Sequence, residues 1–157
     1  DAVREVWVRR YLSVCYPLRK MKVNSPYGYR TDPFTGKRRF HNGIDLHARG
    51  DEALAMMEGT VLKVGQDRTS GKYVVLRHGE FTVSYCHLSR ILVSKGASVR
   101  PRDAVGITGS TGRSTGEHLH ITCRRNGKYV DPTEIFGYIK NTREKCVAAL
   151  AEMSQDV

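Results

Sequence analysis

Glu117-His118-Leu119-His120 and, far upstream, His41-Asn42-Gly43-Ile44-Asp45 are the two stretches on which the reading of this chain turns. Side chains alternate between the faces of a β-strand, so two histidines separated by one residue project to the same side and make a half-site for a metal. With a carboxylate and a third imidazole, four residues apart in the upstream run and brought close by folding, there are donors enough for a three-ligand zinc site whose fourth position stays open to water. Catalysis needs that open position.

The surrounding pattern is that of a β protein. Thr60-Val61-Leu62-Lys63-Val64, Tyr73-Val74-Val75-Leu76 and Phe81-Thr82-Val83-Ser84-Tyr85 are short, rich in β-branched and aromatic residues and punctuated by glycine, with His78-Gly79-Glu80 as a tight connection. Gly96–Val99 leads to Ala104–Thr108 and then to a flexible loop from Gly109 to Gly116, immediately before the histidine pair. That loop lacks the GxxxxGK[ST] signature and runs into a strand instead of opening a helix, which excludes a phosphate cradle. Asn126-Gly127 marks a hairpin after His118–Arg124, and Pro132 is placed to open a helix from about Thr133 to Met153. At the other end, Val3, Trp7 and Tyr11, four apart, with Val8 and Leu12 beside them, predict an amphipathic packing helix over Ala2 to Val14. A turn-rich passage, Ser25-Pro26, Tyr27-Gly28 and Asp32-Pro33-Phe34-Thr35-Gly36, is loop or hairpin ahead of His41.

A length of 157 residues fits one domain with short appendages, and no apolar run approaches the ~20 residues of a membrane helix. The first residue is Asp1, so an export leader or lipid anchor removed ahead of it is expected. A net charge of +10, from 26 Lys+Arg against 16 Asp+Glu, favours polyanionic surroundings, but the basic residues are scattered, with no arginine-rich run. Cys15, Cys86, Cys123 and Cys146 form no CxxC pair, which argues against a cysteine-ligated structural zinc. By strand alternation Cys86 and Cys123 face away from the proposed metal, as buried thiols or a disulfide.

Taken singly, HxH and HxxxD are weak signals, and a structural histidine is the default. Together with His87, they put most of the chain's imidazoles at one place. At this point the chain resembles the lysostaphin-type (LytM-like) zinc metalloendopeptidases of bacterial cell walls, from about Asn24 to Phe136. Ser25-Pro26-Tyr27-Gly28-Tyr29-Arg30 resembles the entry segment and Phe40-His41-Asn42-Gly43-Ile44-Asp45 the HxxxD metal motif. Tyr85-Cys86-His87-Leu88-Ser89 resembles YxHLS; Gly109-Ser110-Thr111-Gly112, Ser114-Thr115-Gly116 and His118-Leu119-His120 resemble the glycine-rich loop and HxH. Asn126-Gly127-Lys128 and Val130-Asp131-Pro132 resemble the closing NGK and VDP.

The resemblance implies that His41, Asp45 and His120 hold one Zn2+ ion with an open position for water, and that His87 and His118 are the catalytic, non-ligand pair. It implies a mainly β fold, a single domain of antiparallel β-sheet with a groove over the metal, flanked by the short N-terminal and the C-terminal helix. The runs Asp32–Gly36 and Gly109–Gly116 would wall the groove and set specificity. The expected organisation is a helical lead-in over 1–20, a metalloendopeptidase domain over 21–136 and a helical extension over 137–157. The implied activity is hydrolysis of peptidoglycan stem or cross-bridge peptides, which requires a periplasmic, envelope-attached or secreted enzyme. His78 is read as structural, and His47 as exposed or as a partner behind the ligands. A non-catalytic wall-peptide-binding module, or an activator docking a partner hydrolase through the terminal helices, is the rival reading, although capping of sheet edges is the simpler use for those helices. Nucleic-acid binding rests on the charge alone.

Overall fold

The β-branched and aromatic runs do form strands, and the computed structural model, which describes residues 1–114 and 116–155, joins most of them into one antiparallel sheet. In chain order the elements are α1 (Ala2–Leu12), β1 (Val23–Ser25), β2 (Gly28–Thr31), β3 (Arg38–His41), β4 (Ile44–His47), β5 (Glu52–Leu54), β6 (Gly59–Asp67) and β7 (Gly71–His78). They continue with β8 (Phe81–Ile91), β9 (Ser98–Val99), β10 (Ala104–Thr108), β11 (His118–Arg125), β12 (Lys128–Val130) and α2 (Thr133–Gln155). The sheet order is β1-β4-β11-β8-β7-β6-β9, with β12 on β11 and β10 joined to both β5 and β8; β2 and β3 form a separate hairpin. The mainly β class with a helix at each end is as the sequence implied.

Strand β8 is the hub. Its first half, through Cys86, pairs with β11, while Leu88 to Ile91 pair with β10, and its other edge is covered by β7. Alternation then sorts the side chains. Val83, Tyr85, Leu119, Ile121 and Cys123 are fully buried on one face, together with Leu46, Val74 and Leu76. Val14 and Leu18, with Ile135 and Ile139 from α2, complete that core. His118, His120 and Thr122 of β11 and Thr82 and Ser84 of β8 line a groove on the opposite face.

Turn chemistry agrees with the sequence. Asn126 and Gly127 both have positive φ (52° and 78°), as a two-residue hairpin of this type demands. Asp131 accepts from the backbone N–H of Thr133 at 2.9 Å, capping α2 with Pro132 in its first turn. The N-terminal helix departs from expectation. It stops at Leu12, none of its residues is buried, and Val3 and Leu12 are 59% and 50% exposed. Only Trp7 and Tyr11 are partly covered, where α1 lies against α2. Polar contacts hold it: Arg102 donates to the carbonyl oxygens of Leu12 (2.8 Å) and Val14 (3.4 Å), satisfying the helix end. Pairing with β10 makes Glu52–Leu54 extended as β5.

His78 is buried at 4% exposure; its Nδ1–H donates to the Glu58 carbonyl at 3.1 Å, and Nε2 has no partner among the described residues. Burial pushes its pKa below the ordinary value of 6.5. The unfolded chain therefore takes up this proton at a higher pH than the folded one, and stability falls as the pH drops through 6.5 towards the folded value. Thermal unfolding followed from pH 7.5 to 5.5 should show His78→Asn, which keeps a donor for Glu58 but does not titrate, losing less stability over that interval than the wild type.

Candidate metal centre

Strands β3, β4, β8 and β11 bring His41, Asp45, His87, His118 and His120 together in the groove. The register of β11 on β4 sets His120 opposite Asp45, and His41 comes from the end of β3, one turn ahead of β4. Nδ1 of His120 lies 2.7 Å from Oδ1 of Asp45 and 3.3 Å from Nε2 of His41, which is itself 3.6 Å from Oδ2 of Asp45. One donor atom from each residue falls within 4.8 Å of the others. The Nδ1–H of His41 donates to the Pro26 carbonyl at 2.9 Å, so its Nε2 carries the free lone pair, turned towards the other two. Two imidazole nitrogens and a carboxylate oxygen, with no fourth side chain in the set among the described residues, fit a divalent metal of the zinc class with positions left for water.

The electrostatics agree. Burial alone would raise the Asp45 carboxyl, but the hydrogen bond from His120 and the charges of His120, His118 and His41 outweigh it and hold its pKa below the usual range. Burial pushes His41 down, against the opposing pull of the Pro26 carbonyl and Asp45. An ionised carboxylate and a neutral imidazole at neutral pH are the ligating forms of both groups.

His118 and His87 flank this cluster. His118 Nε2 is 3.6 Å from Asp45 Oδ1, and its Nδ1–H donates to the Gly116 carbonyl at 2.9 Å. The His87 ring centroid lies 5.1 Å from that of His118 and 5.8 Å from that of His120, and its Nδ1–H donates to the Thr111 carbonyl at 2.7 Å. Burial, reinforced by His118 and His120, holds the His87 pKa below its ordinary value.

His87 reaches this place through a bulge. Lys72 pairs with Leu88 and Val74 with Tyr85, so Cys86 and His87 together oppose Tyr73, and His87 has φ 62°. Strict alternation would have put it in the core beside Tyr85. The expectation that Cys86 faces away from the metal is thereby overturned: both Cys86 and His87 line the groove. Cys86 is buried, and burial pushes its thiol pKa up to about 11. Cys123 does face the core, and all four cysteines are free and buried.

The groove encloses a cavity of about 640 Å3. The β2–β3 hairpin supplies one wall through Asp32, Pro33 and Phe34, and the 109–117 loop the other through Arg113 and Ser114; the Arg113 guanidinium stands 4.5 Å over the Phe34 ring. Thr115 of the Ser114-Thr115-Gly116 motif lies outside the described residues. The first half of this loop is tied down. Thr111 Oγ1 accepts from the Lys72 N–H (3.0 Å) and donates to the Leu88 carbonyl (2.6 Å). The orienting carbonyls of Pro26, Thr111 and Gly116 escaped the sequence reading because a backbone acceptor leaves no mark on residue type. His47 is exposed and His78 buried elsewhere, neither lining the groove.

Residues 39–132 match the family model described as Peptidase family M23. An uncharacterized metalloprotease of Haemophilus influenzae is 42% identical over 125 residues, covering 76% of this chain and 26% of that protein. The peptidoglycan DD-endopeptidase ShyC of Vibrio cholerae is 35% identical over 122 residues, covering 76% of this chain and 28% of that protein. The chain thus spans about a quarter of the length of these relatives. Among solved structures, a zinc containing peptidase from Vibrio cholerae has a TM-score of 0.66 at 33% identity, over 74% of this chain and 37% of that one. The catalytic domain of lysostaphin from Staphylococcus simulans has a TM-score of 0.67 at 26% identity, over 76% of this chain and 92% of that one.

Gly43 permits the close approach of β4 and β11. A Cβ there would stand 2.5 Å from the Ile121 carbonyl oxygen and 2.8 Å from Cε1 of His120. Gly43→Ala should therefore weaken metal binding at least about tenfold, the scale seen when partners of metal ligands are lost. Isothermal titration with zinc checks this, with Gly137→Ala, whose Cβ meets nothing, unchanged in affinity.

Proposed function

The chain belongs to peptidase family M23, as the lysostaphin-type resemblance implied, and on that premise we propose that it is a zinc-dependent endopeptidase hydrolysing peptide bonds in peptidoglycan peptides. The observation that carries this reading is the close grouping of His41, Asp45 and His120 with two further histidines, His87 and His118, beside it. Relatives named as metalloprotease and as peptidoglycan DD-endopeptidase support the reaction and the substrate. A solved neighbour described as zinc containing supports the metal.

In this reading His41 through Nε2, Asp45 through its carboxylate and His120 through Nδ1 hold the ion. Zinc, when bound, supplies Lewis acidity and a water whose pKa is lowered towards ~7. The rest of the chemistry belongs to the chain. His87 and His118 both spend Nδ1–H on a loop carbonyl, which leaves Nε2 of each available to the reacting groups. Between them they take up the proton of the attacking water, donate to the oxygen that gains negative charge, and return a proton to the leaving amine. With its pKa held down, His87 is unprotonated at neutral pH and suited to begin as the base. Arg30 stands 3.9 Å from Asp45, outside the ligand set.

We assign this activity to residues 21–136, with 1–20 and 137–157 as helical appendages, and place it in the bacterial cell envelope, periplasmic or secreted. No helix of the described residues is long and apolar enough to cross a membrane.

Two substitutions separate the histidines of the pair. His118→Ala should retain zinc while turnover of purified peptidoglycan falls by about 10²–10⁴-fold, the usual range for a lost acid–base group; His120→Ala should lose zinc and turnover together. Zinc analysis and fragment mass spectrometry of the same samples check this, and equal zinc retention in both variants would refute the ligand assignment. In zymography, clearing should disappear with a chelator, whereas a pure binding module clears nothing in either lane.

A further inference from the structure

Four basic side chains line the groove: Arg30, Lys63, Arg113 and Arg124. Arg30 faces Asp45, but the other three are held differently, each on an aromatic ring. Lys63 Nζ is 5.6 Å from the centroid of Tyr73, and the guanidinium carbons of Arg113 and Arg124 are 4.5 Å and 4.3 Å from those of Phe34 and Tyr129. Arg124 also donates to the Tyr129 hydroxyl at 2.6 Å. Among the described residues, none of these three cations has a carboxylate within 4.0 Å. An aromatic face orients a cation without neutralising it, and the remaining N–H donors stay free.

The acids of the groove are in the opposite condition. Asp32 accepts from the backbone N–H groups of Phe34 and Thr35 and from Arg39, and Asp67 accepts from the Ser70 N–H at 2.6 Å. Asp45 is held among the histidines. The groove's carboxylates thus each hold an internal donor, with the Arg113 charge also acting on Asp32, while Lys63 and Arg124 are presented without a carboxylate partner. Arg125, one residue on and outside the groove lining, shows the contrast, since it pairs with Glu134 at 3.6 Å.

Position makes this useful. Arg124 follows His120 by four residues on the same strand face, about 13 Å along β11 at the usual rise. The small hydroxyl residues Thr122 and Ser84 pave the floor between them. Lys63 stands on the other flank, on β6, where Gly65 makes room for Tyr73: a Cβ at Gly65 would lie 2.7 Å from the Tyr73 hydroxyl oxygen.

We infer that the groove is built for an anionic peptide, with Arg124 and Lys63 as specificity residues that engage substrate carboxylates away from the metal. The inference rests on the endopeptidase reading and narrows it: cross-linked stem peptides carry free carboxylates, whereas a glycine bridge carries none. A charge-assisted bond of this kind separates acidic from neutral substrates by about tenfold or more, and less at high salt.

The test uses two synthetic cross-linked stem peptides with the same scissile bond, one with its carboxylates free and the other amidated throughout, cleaved by the zinc-loaded protein at low ionic strength. The free-acid peptide should have a kcat/KM about tenfold or more above the amidated one. That ratio should fall towards one in Arg124→Gln and in Lys63→Gln and persist in Arg125→Gln; being taken within each variant, it does not depend on how much of that variant folds. Equal cleavage of both peptides by the wild type, or an undiminished ratio in both groove variants, overturns the inference and leaves the endopeptidase reading standing. Cleavage of neither peptide, with no zinc-dependent release from intact peptidoglycan, overturns that reading and the inference with it.

Discussion

The register of β4 against β11 is the constraint on which the site depends. Asp45 opposes His120 and Leu46 opposes Leu119, so one face of this strand pair is ionisable and the other is fully buried hydrocarbon. A slip by one residue would turn Leu119 and Ile121 into the groove and drive both histidines into the core. Burying Ile44, Leu46, Leu119 and Ile121 is therefore what keeps Asp45 and the two histidines aimed into the groove. At about 1.5–3 kcal/mol for each large aliphatic side chain removed from water, the core is the main force that holds this register.

The bulge at His87 adds what regular strands cannot. A flat β8 would present Ser84 and Cys86 to the groove and keep the next residue inside. The left-handed backbone at His87 costs on the order of 1–2 kcal/mol for a residue with a Cβ. The neighbourhood over-determines it: the His87 N–H donates to the Ser70 carbonyl at 2.8 Å, and its ring to Thr111. Thr111 is in turn pinned by Lys72 and Leu88. Gly71 and Gly112, both at positive φ, meet so closely there that a Cβ on Gly112 would stand 2.2 Å from the Gly71 nitrogen. Local strain is thus exchanged for an imidazole placed beside the His41–Asp45–His120 cluster.

What was legible in the sequence follows from which interactions leave a mark on residue type. Period-two alternation made His118 and His120 a pair, positive-φ chemistry made Asn126-Gly127 a turn, and Pro132 announced α2. Joining them to His41, Asp45 and His87 needed the family resemblance, because contacts between strands distant in sequence have no local signature. Cys86 was misplaced for a definite reason: a bulge is a one-residue change of backbone conformation, and nothing in Tyr85-Cys86-His87 requires it. The helix α1 was over-read, since apolar residues four apart describe a face but not whether anything covers it. Only part of that face meets α2.

The unequal fates of the two histidines in HxH come from their surroundings, since both project from one face of one strand. Nδ1 of His118 looks back along its own chain to the Gly116 carbonyl, which accepts its proton and leaves Nε2 exposed to the groove. Nδ1 of His120 instead looks across to Asp45, so the same atom points at a carboxylate and at Nε2 of His41. Three of the four site histidines take their tautomer from a loop carbonyl, at Pro26, Thr111 or Gly116; His120 alone takes its orientation from another member of the cluster. The loop that carries Thr111 and Gly116 therefore also sets which ring nitrogen His87 and His118 offer, and a change in its conformation would alter those two imidazoles before it altered the His41–Asp45–His120 cluster.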